Sequence, residues 1–335
     1  SCGTGATCLS PATHINNKFY QTGDPSISYG CGYCEVEEGF ETLLMSEIFN
    51  RNHMKTERML AIIEFEDGIS INVRAHENLL RPSHFFWALK QGERETLHHI
   101  FEYHMQREAK NDEPNGPWKK LAKKGVSYEE RLKGFLQNQC EIFAKLSARL
   151  ESDYIFCWLD WDGDNILMDG GIIDYGSVRQ FGLFHHEYRF DDVQRFSTTI
   201  KEQKQKAKYT VQTFAQMVDF LERGKKKSIK SYRNHGILKE FDRIFELHKQ
   251  KLLLEKVGFS EDLAEKILEN HRPTVRKFQK DFEYFEKAKS ERGPEEVADG
   301  INWSAIFCLR DILRELPQIL LARGEQKVSH KEFFE

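Results

Sequence analysis

No stretch of this sequence stays apolar for the ~18–20 residues that a membrane span needs, so no transmembrane helix is expected. A basic field is also missing. Lys and Arg number 49 against 53 Asp and Glu, for a net charge of −4, which offers nucleic acid little to hold. The seven cysteines, Cys2, Cys8, Cys31, Cys34, Cys140, Cys157 and Cys308, are odd in number and scattered, so they do not read as a disulfide framework. Cys31 and Cys34 with Cys2 and Cys8 could form a four-thiolate zinc site, but their spacing follows no zinc pattern, and reduced thiols are the expectation. There is no internal repeat and no secretory signal. The chain opens on Ser1 rather than Met, which points to processing or truncation. A monomer in the cytoplasm is expected, or in the mitochondrion if the source is eukaryotic.

What is present favours a substantial core: 39% hydrophobic residues, 25 of the 335 being Phe. Val36 to Asn50 reads as a helix with Val36, Phe40, Leu43, Leu44 and Ile48 on one face. Met59–Phe65 and Ile69–Ala75 read as strands around Glu66-Asp67-Gly68. Ser83 to Arg107 is helical, with a break near Gly92. Residues 108–126, rich in Pro, Gly and Lys, suggest an exposed connection. Ser127 and Glu130 form a capping box ahead of a helix carrying Leu132, Phe135, Leu136, Cys140, Phe143, Leu146 and Leu150 at helical spacing. Tyr154–Leu159 is a strand candidate. From Asp191 onward the pattern is helical, with Ser260 capping one helix, Pro273 starting another, and Trp303–Arg323 containing a last. Lys225-Lys226-Lys227 reads as a solvated helix start. The order implies an α+β fold with a small β-containing N-lobe at 1–107, a connection at 108–126 and a mainly helical C-lobe at 127–335. It is the order of a bilobal protein-kinase-like fold.

The segment Gly163 to Gly176, GDNILMDGGIIDYG, stands apart. Two apolar runs flank Asp169-Gly170, a two-residue hairpin signal. A turn there pairs Met168 with Gly171, Leu167 with Ile172, Ile166 with Ile173, and Asn165 with Asp174. Cross-strand neighbours come within ~4.5–5.5 Å at Cβ. An amide oxygen and a carboxylate at the open end of a hairpin would suit a hard cation such as Mg²⁺. Protein kinases set a metal-binding Asn and Asp in this relation.

Four stretches resemble the selenoprotein O family of kinase-like protein adenylyltransferases. Asp164-Asn165 and Asp174-Tyr175-Gly176 match its Asp-Asn and Asp-Tyr-Gly at the same separation. Val73 to Phe86 is similar to its segment with two arginines, here Arg74 and Arg81. Gly30 to Phe49 falls where the family has Gly-Asp-Gly-Arg-Ala and the small-lobe helix. Tyr188 to Asp192 resembles the segment after its metal-binding loop. The resemblance runs from about Lys18 to Lys289. It implies transfer of AMP from ATP to Ser, Thr or Tyr hydroxyls of proteins. Asn165 and Asp174 would hold Mg²⁺ or Mn²⁺, Asp164 would be the general base, and Arg74 and Arg81 would grip phosphates. Lys18 and Glu41 have the separation of the family's ion pair, with Glu38 and Glu47 as alternatives for the acid. The chain departs from the family at Gly30-Cys31-Gly32-Tyr33-Cys34 and lacks a C-terminal cysteine pair. One alternative is a kinase-like phosphotransferase with Asp160 as base. The other is a catalytically impaired pseudokinase scaffold.

Overall fold

The computed structural model describes residues 34–157, 163–176 and 200–287, and shorter stretches at 14–15, 18–19, 159, 178–180, 318–319, 321–324 and 329. The fold is α+β, a three-stranded sheet with a mostly helical body. Two two-residue strands come first, β1 (His14–Ile15) and β2 (Lys18–Phe19), paired antiparallel. β3 (Cys34–Glu35) leads directly into α1 (Val36–Arg51). β4 (Arg58–Glu64) and β5 (Ile69–Ala75) follow, rich in the branched residues that suit a pleated surface. They join through a 3₁₀ turn at Glu66–Gly68, where Gly68 takes φ +73°. The sheet order is β3-β5-β4, all antiparallel, with a bulge between Met59 and Ala61.

α1 forms over the expected residues but turns a different face to the sheet. Gly39, Thr42, Ser46 and Phe49 are its buried residues. Phe40, Leu44 and Ile48, expected inside, are 53%, 63% and 49% exposed. The cause is the closeness of approach. A Cβ on Gly39 would come within 2.6 Å of Asn72 Oδ1 and 3.2 Å of Ile62. Small side chains let the helix reach the sheet, and apolar periodicity alone does not register that.

α2 (Pro82–Gln91) ends at Gly92, which takes φ +76° and donates its N–H to the last carbonyls. α3 (Arg94–Asn111) runs further than expected, and the basic connection holds its own short helix, α4 (Pro117–Leu121), with Trp118 buried. α5 (Tyr128–Ser152) opens on the expected box: Glu130 N–H donates to Ser127 Oγ at 3.2 Å and Ser127 N–H to Glu130 Oε2 at 2.8 Å. Phe85, Phe101, His104, Trp118 and Phe135 make an aromatic core with ring centroids 5.1–6.3 Å apart. β6 (Ile155–Phe156) is shorter than expected and pairs with β7 (Arg179–Gln180).

α6 (Ile200–Arg223), α7 (Gly236–Lys256) and α8 (Glu261–Lys287) follow, with a 3₁₀ turn at Ile229–Tyr232 between α6 and α7. α8 is kinked at His271, two residues ahead of Pro273, where the missing N–H and the ring interrupt the ladder. The three lysines after α6 are exposed and stand ahead of the 3₁₀ turn capped by Ser228, but the Lys226 ammonium is not left to water alone. Lys226 Nζ donates to Leu89 O and Lys90 O at 3.1 and 2.8 Å, closing the C-terminus of α2. Arg94 does the same for α6, with Nε and Nη2 reaching Leu221 O at 3.1 and 2.5 Å. Both place a cation against the last carbonyls of a helix, where the dipole favours positive charge.

The chain divides into two compact units. One comprises residues 1–135, 162–176 and 219–226; the other comprises 136–161, 177–218 and 227–335. In the second, Phe143 meets Phe214 at 6.0 Å, and Leu254, Ala264, Leu268 and Val275 form a cluster between α7 and α8. Buried Gln203 donates to Ile155 O and accepts from Cys157 N–H, satisfying main-chain groups beside β6. Among the described residues no helix is long and apolar enough to cross a membrane.

Candidate functional site

Arg81 and Asp164 are 83 residues apart in sequence and joined in space. Arg81 Nη1 donates to Asp164 Oδ1 at 3.0 Å and to Asp164 O at 3.1 Å. Ser83 Oγ donates to the same Oδ1 at 3.2 Å. The main chains meet as well: Ser83 N–H donates to Gly163 O at 3.3 Å, and Met168 N–H to Leu80 O at 2.9 Å. Arg81 is the residue before α2, and His84 Nδ1 accepts from the Arg81 N–H at 3.0 Å. Asp164 therefore lies at the N-terminus of α2, where the helix dipole favours a negative charge. Gly163 takes φ +75°, and a Cβ there would sit 2.4 Å from Pro82 Cβ. Only glycine lets the two segments lie this close.

The hairpin is present with a register that differs by one residue. Ile166 bridges Ile172, and Leu167 N–H donates to Gly171 O at 2.8 Å. Gly170 N–H donates to Leu167 O, and Gly170 takes φ +85°. This is a three-residue loop with glycine alone in the left-handed region, in place of a two-residue turn with both residues there. Asp169 is otherwise engaged: its Oδ1 accepts from Gly171 N–H at 3.0 Å, and its Oδ2 lies 3.2 Å from His76 Nε2. The shift means that the expected facing of Asn165 and Asp174 does not follow from the ladder. Continued, the observed register sets Asp164 opposite Asp174. Asp174 Oδ1 accepts from Gly176 N–H at 3.2 Å, which shapes the Asp-Tyr-Gly loop.

The other arm of the hairpin is tied to the sheet by three consecutive residues. Ile172 N–H donates to Lys55 O at 3.1 Å. Thr56 Oγ1 donates to Ile172 O at 2.9 Å and shares a 2.6 Å hydrogen bond with the Tyr175 hydroxyl. Glu57 Oε1 accepts from Arg74 Nη1 at 2.6 Å, with side-chain exposures of 5% and 25%. Burial pushes the Glu57 carboxyl above its ordinary range, opposed by Arg74 and, more weakly, by Arg81 and His76. Burial also raises Tyr175, with Thr56 opposing.

Beneath the arginine segment lies a polar network. His76 Nδ1 contacts Asn78 O at 3.0 Å, and Asn78 Nδ2 donates to Glu108 Oε1 at 2.5 Å. His104, fully buried among the aromatics, is pushed down to about 3 by desolvation and is neutral. Burial depresses the His76 pKa, but the hydrogen bond and charge of Asp169 outweigh it, and the net shift is upward. Asp169 is shifted downward: burial raises it, and His76, Gly171 and Lys55 more than compensate.

Arg74, Arg81, Asp164, Asn165 and Asp174 thus all lie in the first unit. Lys18 lies in β2, and its side chain is outside the described residues, as are Asp160, Cys2, Cys8, Cys31 and Tyr188–Asp192. Glu41 is exposed on α1; of the alternative acids, Glu47 pairs with Arg58 at 2.5 Å, and Glu38 raises the Cys34 thiol. Burial, the leading cause, and Glu38 push that thiol to about 11. Sequence reasoning missed Thr56, Glu57 and the His76–Asp169 pair. Thr56 and Glu57 sit just ahead of a strand with no motif to mark them, and Asp169 was legible only as a turn former. No family model matches the chain, and no curated protein matches it.

Proposed function

We propose that this chain is a kinase-like protein adenylyltransferase that moves AMP from ATP onto Ser, Thr or Tyr hydroxyls of protein substrates, on a bilobal kinase-like fold. The observation that carries the reading is the convergence of two distant motifs. The two-arginine segment and the Asp-Asn/Asp-Tyr-Gly hairpin are joined through Arg81–Asp164, Ser83–Gly163 and Leu80–Met168. The reading implies a monomer acting in the cytoplasm, or in the mitochondrion of a eukaryote.

In this reading Asp164 takes the proton of the acceptor hydroxyl. Its Oδ1 is fixed by Arg81 and Ser83, and Oδ2 has no hydrogen-bond partner among the described residues. The hydroxyl oxygen bonds to the α-phosphorus as the bond to the pyrophosphate oxygen breaks. Arg74 and Arg81, always charged, offset the charge that gathers on the phosphate oxygens. Asn165 and Asp174 supply an amide oxygen and a carboxylate, hard donors of the kind Mg²⁺ or Mn²⁺ takes. Among the described residues no group of three or more His, Cys, Asp or Glu could hold a metal. Mg²⁺ commonly takes one or two protein carboxylates and completes its shell with water and substrate phosphate. When bound, such an ion polarises and neutralises phosphate oxygens.

The experiment is incubation with ATP labelled at the α- or the γ-phosphate, with Mg²⁺ or Mn²⁺. Label from the α-position on protein, abolished in Asp174→Ala, is the expected result. Label from the γ-position alone would replace this reading with a phosphotransferase. One observation favours a scaffold: both arginines are already paired with carboxylates, Glu57 and Asp164. ATP binding with no transfer of either label would decide for it.

A further inference from the structure

Glu57 is a carboxylate that costs free energy to bury unless it is paired, and Arg74 is its ion-pair partner. The contact uses Arg74 Nη1 and leaves Nε and Nη2 without a partner among the described residues. The Arg74 side chain is a quarter exposed, whereas that of Glu57 is 5% exposed. The residue before Glu57 reaches the Asp-Tyr-Gly loop, through the Thr56–Tyr175 hydrogen bond. One dipeptide thus touches both the arginine strand and the second arm of the hairpin. An arginine left to itself loses rotamer freedom when it closes on a ligand. A carboxylate that already holds the guanidinium removes that cost from the binding step.

We propose that Glu57 is a positioning residue for Arg74. It holds the guanidinium by Nη1 so that the Nε and Nη2 edge meets the phosphates of a bound nucleotide, and Thr56 keeps that arrangement in step with the Asp-Tyr-Gly loop. The inference rests on the proposed ATP-dependent function and on Arg74 as a phosphate ligand.

The test is a double-mutant cycle read as ATP affinity by calorimetry, on the whole chain with Mg²⁺. Arg74→Ala should weaken binding about tenfold or more, the scale of a charge-assisted hydrogen bond. Glu57→Ala should weaken it by a similar factor. The double variant should bind no worse than Arg74→Ala alone, because Glu57 acts only through Arg74. Glu57→Gln, which keeps an oxygen acceptor without the charge, should recover part of the loss. Thermal unfolding of each variant separates folding from binding, since a general loss of structure would add to the Arg74→Ala effect. Affinity unchanged or tighter in Glu57→Ala overturns the proposal, because Glu57 would then be idle or merely neutralise Arg74. Losses that add overturn it too, as does a silent Arg74→Ala in a chain that binds ATP. A wild-type chain that binds no ATP overturns the functional reading, and this inference with it.

Discussion

Gly163→Ala tests the close approach of α2 to the hairpin. Two separate costs are expected at this position. Gly163 has φ +75°, where an L-residue pays about 1–2 kcal/mol. The added methyl would also meet Pro82 Cβ at 2.4 Å, Pro82 Cγ at 3.1 Å and Ser83 N at 3.4 Å. Proline cannot swing aside, and Ser83 N is main chain bonded to Gly163 O, so relief requires the two segments to part. Overpacking of this kind costs about 1–3 kcal/mol, and the total is roughly 2–5 kcal/mol. Gly92→Ala is the control. It has φ +76° with nothing within 4 Å of a new Cβ, so it bears only the backbone cost, about 1–2 kcal/mol. The assay is the midpoint of urea unfolding for each variant, with the slope checked for constancy. Equal losses at the two glycines would refute the claim that contact with Pro82 sets the need for glycine at 163. Gly163→Ala should also separate Asp164 from Arg81, so ATP affinity should fall with stability, whereas Gly92→Ala should leave affinity unchanged.

Arg81→Ala should cost less than about 1 kcal/mol of stability, because Asp164 is half exposed and such pairs are screened; it should nevertheless weaken ATP binding about tenfold or more, and calorimetry showing no change would remove the phosphate role. The His76–Asp169 pair predicts stability limited on both sides of pH. The His76 contribution is complete below about pH 6.5 and is lost as pH rises through its raised folded pKa. The Asp169 contribution is present above about pH 3.8 and is lost as pH falls through its lowered one. In His76→Gln the alkaline fall in urea midpoint should flatten, and a profile parallel to wild type would rule the pair out as its source. Gln203→Leu strands the Cys157 N–H and the Ile155 carbonyl and should lose about 2–4 kcal/mol; a loss below 1 kcal/mol would mean that those groups find other partners.

The elements legible in the sequence were those with local causes. The β4–β5 hairpin, the glycine stop at Gly92 and the Ser127–Glu130 box each rest on a few neighbouring residues. The misreadings share a different origin. Asp169-Gly170 permits both a two-residue and a three-residue loop, and a contact with His76 in a distant segment accompanies the one adopted. Three of the four buried residues of α1, Gly39, Thr42 and Ser46, are small or polar, with Phe49 the fourth, so apolar spacing pointed at the exposed side. Lys225, Lys226 and Lys227 are exposed as read, but the acceptors that Lys226 also reaches, Leu89 O and Lys90 O, belong to a helix far back in the chain and left no local sign. At the candidate site, Arg74 and Arg81 were singled out by their spacing. Their carboxylate partners follow no spacing rule: the Arg81–Asp164 pair links segments far apart in sequence, and Glu57 reaches Arg74 across two paired strands.

The joints between the arginine segment, the hairpin and the sheet run largely through main-chain atoms: Leu80 O, Ser83 N, Gly163 O, Met168 N, Lys55 O and Ile172 N. Main-chain groups are the same in every residue except proline, which lacks the donor. Leu80 and Lys55 can therefore be exchanged for other residues without breaking a joint, and Met168 and Ile172 can be exchanged within the limits of their packing. Intolerance should concentrate at Gly163, where a side chain cannot fit, and at Thr56, whose hydroxyl spans two partners. The geometry of the site can thus outlast wide drift in the surrounding letters, with a handful of positions recording its ancestry.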